Sequence, residues 1–381
     1  MRKVFFLWSV GLALILSGCA TDSIGNNSAD SACDEQSKLG EFSQEAAVIV
    51  TPGSNFTDAT TAFNSSKQSL AEALKDTSTK LKVYVSSGDT RLVSERTLDL
   101  AAGLETIQSS RLKKIGGEIE RDFSCSRDLD NMLPEMDILS ALNMAAQTSN
   151  GAPVTHIFVV SNGIQTSGDL RLQDGFGSDP TTVVENLVTN NALPLLKGVR
   201  VHWLGIGQTT GDQPPFSVAS TNALKDLWTE IVEKSGGTVT FEGAIKLGQG
   251  NPDGPSVAQV APLFVPPVVQ SCRSVLTDEN LSFVANTANF LSPSLASETF
   301  DNLKVQFGAQ NCTGTLRITG FTTNFGSESS QKSIAQSRAE AVAAELAKRF
   351  PGLKSEVQGI GYDGTGGLDQ SNRRVEVSFS N

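Results

Sequence analysis

The sequence predicts an α/β chain in two bodies: an N-terminal doubly wound body on a parallel sheet, and a C-terminal α+β body of order β-α-β-α-β. Three observations predict this. Between residues 41 and 247, short apolar runs rich in β-branched residues alternate with segments of helical period, the pattern of a parallel sheet covered on both faces. Between 248 and 270 prolines crowd together, in Asn251-Pro252-Asp253-Gly254-Pro255 and Val265-Pro266-Pro267, which denies regular structure and favours a semi-rigid extended linker. From 271 to 381 two helical patterns separate three strand-like runs. At 381 residues the chain is long enough for two cores.

The elements follow in order. Ala46–Val50 is apolar throughout and reads as a buried strand, as do Leu81–Val85, His156–Val160 and Val201–Ile206. Ser66–Leu74, Met136–Ala146 and Leu224–Val232 repeat their apolar residues at helical spacing, and Gly236-Gly237 is a natural stop for the last. In the second body Leu281–Phe283 begins a strand and Ser297–Phe307 suits a helix. Leu316, Ile318 and Gly320 alternate as a half-buried strand. Gln331–Phe350 is the longest helix, ended by Pro351-Gly352. Val375, Val377 and Phe379 alternate with period two at the C-terminus.

The N-terminus is an address rather than part of either body. Arg2 and Lys3 precede an apolar run from Val4 to Leu16, too short for a permanent span of about 20 apolar residues. Leu16-Ser17-Gly18-Cys19 resembles the lipobox of bacterial lipoproteins. The resemblance implies a signal peptide over 1–18, diacylation (palmitate-type chains) on Cys19 as the first mature residue, and a membrane tether of about 0.8 kcal/mol per buried methylene. The plain alternative is an ordinary cleaved signal with a chance cysteine. With Ala20 after the lipid site, the resemblance points to the outer membrane, the chain facing the periplasm. Residues 19–40 are small and polar and read as a flexible stalk.

Composition excludes some partners. Lys plus Arg number 30 against 41 Asp plus Glu, for a formal charge of −11, and loss of Arg2 and Lys3 would take it to −13. Such a chain repels phosphates, so nucleic acid is not an expected partner. Of five cysteines, Cys33, Cys125, Cys272 and Cys312 remain once Cys19 is set aside, and an even remainder in an exported chain favours disulfides. Pairing Cys33 with Cys125 and Cys272 with Cys312 keeps each bridge inside one body, although two other connectivities stay open. No Cys-x-x-Cys pair is present, which argues against a redox enzyme or a zinc ribbon.

On the long C-terminal helix, Ile334, Val342 and Leu346 form an apolar stripe that includes Arg338, a costly place for a guanidinium without an anion. The plain alternative is an arginine snorkelling at the stripe's edge. Gly320-Phe321-Thr322-Thr323-Asn324-Phe325-Gly326, Ser337-Arg338-Ala339-Glu340-Ala341-Val342, Gly359-Ile360-Gly361-Tyr362 and Asn372-Arg373-Arg374-Val375-Glu376-Val377 together resemble the OmpA-like periplasmic domain. That family binds the diaminopimelate of peptidoglycan: an Asp in the first motif pairs the ammonium, and the helix Arg pairs the carboxylate. The resemblance carries the arginine to Arg338 but leaves Thr323 where the Asp belongs and Phe321 for a His. Losing half of such a pair costs about 2–5 kcal/mol in binding, so the expected wall contact is weakened unless Glu328 or Asp363 substitutes. Asn372 and Arg374 match family positions near the site, or hold the last strand to the sheet.

Ala46–Asn55, Ile157–Gly163, Val201–Gly207 and Ser235–Thr238 resemble a von Willebrand factor A domain. In that family an Asp-x-Ser-x-Ser loop, a Thr and a later Asp hold Mg²⁺ at the carboxyl edge of the sheet, where open α/β folds place ligands. Here Thr51, Gly53 and Asn55 replace the loop, Asn162 replaces the later Asp, and Met136 falls near the Thr. A hard cation needs carboxylates, so no metal and no cofactor is expected, and the surface is left for a protein. His156 and His202, in apolar strand segments, read as core or sheet-edge residues. Asp128, Asp130, Glu135 and Asp137 read as a solvated acidic loop, with Ca²⁺ affinity as the lesser alternative. No nucleophile elbow, Walker loop or dinucleotide loop is present. The expectation is a non-enzymatic outer-membrane lipoprotein linking envelope components: peptidoglycan through the second body and an unidentified envelope protein through the first. The alternative is a structural subunit of an envelope assembly that binds no wall.

Overall fold

The computed structural model describes residues 40–101, 103–126, 129, 131–147, 152–247, 250–364 and 372–380, all within one unit, Ser37–Asn381. The expected lipid site Cys19, and Cys33, Asp128 and Asp130, lie outside these residues. No helix among them is long and apolar enough to cross a membrane.

The first sheet has six strands: β1 (Gln44–Val50), β2 (Ser78–Ser86), β3 (Thr90–Asp99), β4 (Val154–Val160), β5 (Arg200–Leu204) and β6 (Thr238–Phe241). Their spatial order is β3-β2-β1-β4-β5-β6, and every pair is parallel except β2 with the edge strand β3. Central β1 is buried along nearly its whole length because both faces are covered, hence its unbroken apolar run. On one face pack α3 (Ile138–Ala145), the short α4 (Leu172–Gly175), α5 (Pro180–Thr189) and α6 (Val218–Lys234). On the other pack α1 (Ala59–Ala73) and α2 (Glu105–Cys125). Side-chain caps start the helices: Asp58 accepts from Thr61 N, Asp137 from Ser140 N, Asp179 from Thr182 N and Ser217 from Ser220 N.

The second sheet contains β7 (Val269–Gln270), β8 (Arg273–Thr277), β9 (Thr315–Phe321), β10 (Ser355–Gly361) and β11 (Arg374–Ser380), in the order β10-β9-β11-β8-β7. Helices α7 (Pro293–Ala309) and α8 (Glu328–Arg349) share one core on its face. Ser271 and Cys272, both at positive φ, make the two-residue turn between β7 and β8. Cys272 is bonded to Cys312, with Cα atoms 5.6 Å apart. Cys125 is also disulfide-bonded.

The structure amends two expectations. Leu281–Phe283 does not open a strand: Phe283 forms an isolated bridge to Phe290, their rings 5.2 Å apart, and β8 lies earlier. Its apolar character serves ring packing beneath α7, where Phe290 meets Phe300 at 5.6 Å. The order also gains strands, since β7 pairs ahead of β8 and β10 precedes β11.

Residues 250–268 form no helix or strand, as the prolines dictate, yet 251–263 is hydrogen-bonded as a strap to the loops at the carboxyl edge of the first sheet and to α6. Val260 is fully buried in the core beside α6, and Gln213 grips its main chain in both directions.

Candidate functional site

A cleft of about 580 Å³ opens beside the second sheet between the turn at 285–286, the loop 322–326, the first half of α8 and Arg373. Loop and helix reach one another because glycine permits it. A Cβ on Gly320 would lie 2.1 Å from Ala335 O, and one on Gly359 would lie 2.3 Å from Gln336 N. Gln331 braces the loop by donating to Gly326 O at 3.1 Å, and Ser327 caps α8 through Ser330 N.

Arg338 lines this cleft and is only 7% exposed. Its Nε donates to Thr287 O at 3.0 Å, and its Cζ lies 4.8 Å from the Phe283 ring centre. Its Nη groups donate to no acceptor among the described residues. The Arg373 guanidinium also lines the cleft and pairs with Asp278 at 2.9 Å. Burial pushes the Asp278 carboxyl above its ordinary range, although Arg373 and Arg338 pull it down. Burial lowers Arg338, with Asp278 opposing and Arg373 reinforcing. The guanidinium nonetheless stays cationic. Thr322 is buried with its Oγ1 unpartnered among the described residues, Thr323 lines the wall, and the Phe325 ring stands 73% exposed at the mouth. No carboxylate is found among the described lining residues. The arrangement attracts an anion chiefly through Arg338, Arg373 being already paired with Asp278, and its described lining offers an ammonium only hydroxyl and amide groups.

The other sequence candidates fall elsewhere. Arg374 lies on the opposite face of β11, its Cζ 3.9 Å from the Phe321 ring centre, paired with Asp363 at 2.7 Å and Glu376 at 3.0 Å. Asn372 is buried outside the cleft lining. Glu328, engaged with Lys332 at 2.8 Å, and Asp363, engaged with Arg374, do not line the cleft. Sequence reasoning missed Arg373 and Asp278. Strand parity was the available signal: Arg373 shares its side of the chain with Val375 and Val377, which face the helices, whereas Arg374 alternates outward.

At the carboxyl edge of the first sheet, Thr51, Asn55 and Asn162 come together, all buried. Asn162 donates to Asn55 O at 3.2 Å and accepts from Ile164 N at 3.0 Å. A Cβ on Gly53 would lie 2.7 Å from Met136 Cε and 2.8 Å from Val257 Cγ2, so a thioether and a strap valine fill this corner. Of the acidic residues, Asp137 caps α3, and Glu135 accepts from Ala258 N of the strap at 2.9 Å. His156 and His202 are sheet residues bonded to one another, Nδ1 to Nε2, at 2.9 Å.

No family model matches the chain, and no curated protein matches it. Solved structures do. An outer-membrane protein from Borrelia burgdorferi B31 is 18% identical, with 30% of this chain and 96% of that one covered and a TM-score of 0.24. The peptidoglycan-associated lipoprotein from Burkholderia pseudomallei is 17% identical, covering 28% and 89%, with a TM-score of 0.23. A von Willebrand factor type A structure from Catenulispora acidiphila is 12% identical, covering 53% of this chain and 39% of that one, with a TM-score of 0.28. The chain is thus similar to OmpA-like envelope structures over about a third of its length and to a von Willebrand factor A structure over about half.

Proposed function

We propose that the protein is a non-enzymatic lipoprotein of the bacterial envelope, lipidated at Cys19 and facing the periplasm from the outer membrane. In this reading residues 271–381 contact peptidoglycan by accepting a stem-peptide carboxylate at Arg338 and Arg373, and residues 41–247 serve a protein partner. One observation carries the wall contact: Arg338 is buried against the cleft with its Nη groups uncommitted among the described residues. A buried guanidinium gains most from a carboxylate, whose two oxygens match its fork.

Retention on purified sacculi tests this. The wild type is expected to be retained, Arg338→Ala to bind at least about tenfold more weakly, and Arg374→Ala to bind like wild type. Equal retention of wild type and Arg338→Ala would remove the cleft from the account. A second reading, a structural subunit that touches no wall, is favoured by the absence of a carboxylate among the described lining residues. No retention of the wild type itself would establish that reading.

A further inference from the structure

The strap over the first sheet is bound in the way a peptide ligand is bound, and this is independent of the cleft. Its main chain is read by groups on four separate segments of the edge. Ser54 N donates to Pro255 O at 2.9 Å, and Glu135 N donates to Ser256 O at 2.6 Å. The Glu135 carboxylate accepts from Ala258 N at 2.9 Å. Gln213 accepts from Val260 N at 2.9 Å and donates to Val260 O at 2.7 Å, reproducing with an amide side chain the reciprocal bonding of a neighbouring strand. Ser220 Oγ accepts from Leu263 N at 2.9 Å. Only one side chain is swallowed whole: Val260, with none of its surface exposed. Val257 lies over Gly53, where any side chain would collide with it.

The strap is an imperfect occupant. Asn55 is 3% exposed, and neither polar atom of its amide has a partner among the described residues; its Oδ1 and the Val257 Cγ2 lie 3.1 and 2.8 Å from the Cβ position of Gly53. A buried amide left unpaired is a standing cost that a main chain offering it a donor and an acceptor would relieve.

We infer that the carboxyl edge of the first sheet is a peptide-reading groove, with residues 251–263 as its tethered occupant. The partner that fits this face is an extended peptide segment with a valine-sized anchor, and it binds by displacing the strap. The groove grips main chain and one small apolar side chain, so it selects an extended backbone more than a sequence. Tethering sets the competition: an intramolecular occupant acts at millimolar effective concentration, and an external segment binds well only once the strap is loosened.

The experiment uses the full chain and, as probe, a fluorophore-labelled synthetic peptide of residues 251–264. Val260→Asp ejects the anchor. The variant is expected to keep its far-UV circular dichroism, to be cleaved by protease within 251–263, and to bind the peptide about tenfold or more tightly than wild type does. Gln213→Ala added to Val260→Asp should abolish that binding, as should a peptide carrying Asp in place of Val260. Val260→Ala, which removes the anchor without introducing a charge, decides the matter if Val260→Asp does not fold. Its peptide affinity should also exceed that of wild type, and equal affinity overturns the inference. A folded, strap-cleaved variant that ignores the peptide, or a wild type that binds it as tightly as the variants, also overturns it.

Discussion

At the scale of single residues, the two histidines show how a buried pair fixes its own protonation. His202 Nδ1 lies 3.1 Å from Glu242 Oε1, and Ser69 donates to the other oxygen of that carboxylate. If His202 Nδ1 carries the proton toward Glu242, its Nε2 is bare and accepts from His156 Nδ1–H. A further proton on His202 Nε2 would set two donors face to face. Burial holds His156 down to about 4, with the charges of His202 and Arg200 adding to the effect, and burial lowers His202 against the opposing pull of Glu242. A folded-state value below the unfolded one makes stability fully present above about pH 6.5, and it is lost as pH falls toward 4. The contribution of His156 is no more than about 3 kcal/mol. We expect the denaturant midpoint of the wild type to fall over that window and the slope to be shallower in His156→Phe, which keeps the stacking with Phe158. Parallel slopes would show that His156 does not carry the effect.

At the scale of elements, the close approach of α8 to β9 and β10 positions Arg338, and two glycines permit it. Gly359→Ala places a methyl group against the helix backbone at Gln336, so either the helix moves or the strand bends. Overpacking of this kind costs about 1–3 kcal/mol, and a lower melting temperature together with weaker sacculus retention should accompany it. An unchanged melting temperature would mean the helix gives way freely. The sequence announced α8 by its stripe and β11 by its alternation. It was silent on β3, α2 and β10 for identifiable reasons. Strand β3 is an edge strand carrying Arg91, Glu95 and Arg96 among its alternating residues, so its apolar face is thin. Helix α2 is polar and has Gly116-Gly117 at its centre, a pair that reads as a break, yet Gly116 passes close under Lys67 of α1, where a Cβ would lie 2.6 Å from Lys67 Cε. Tertiary contact there overrides local propensity. Strand β10 holds two glycines in seven residues, chosen for helix clearance rather than β-propensity. The cleft was legible only as far as Arg338 and Thr323. Arg373 required knowing the facing of β11, and Asp278 required a turn that no pattern marks.

At the scale of the whole molecule, the first sheet has a core on each face and the second sheet a core of its own, and the two sheets are reported by different probes. Trp203 and Trp228 both lie in the core of the first sheet, their rings 4.7 Å apart, and the third tryptophan, Trp8, falls in the expected signal segment, so in a chain cleaved before Cys19 tryptophan emission follows the first sheet. The second sheet is smaller, and the Cys272–Cys312 bond ties the turn between β7 and β8 to the chain just beyond α7, closing a loop with a sequence separation of 40. By the chain-entropy estimate, closing such a loop removes about 4 kcal/mol of freedom from the unfolded chain. That is a large share of the about 5–15 kcal/mol usual for a folded domain. Replacing both cysteines in Cys272→Ala/Cys312→Ala should therefore destabilise the second body by about 2–4 kcal/mol while leaving the Cys125 bridge in place. The denaturant midpoint followed by far-UV circular dichroism should split, an early step belonging to the second sheet. The tryptophan-emission midpoint should stay where it is in the wild type, because nothing in the first core has changed. A joint shift of both signals would mean instead that the strap couples the two cores into one cooperative transition.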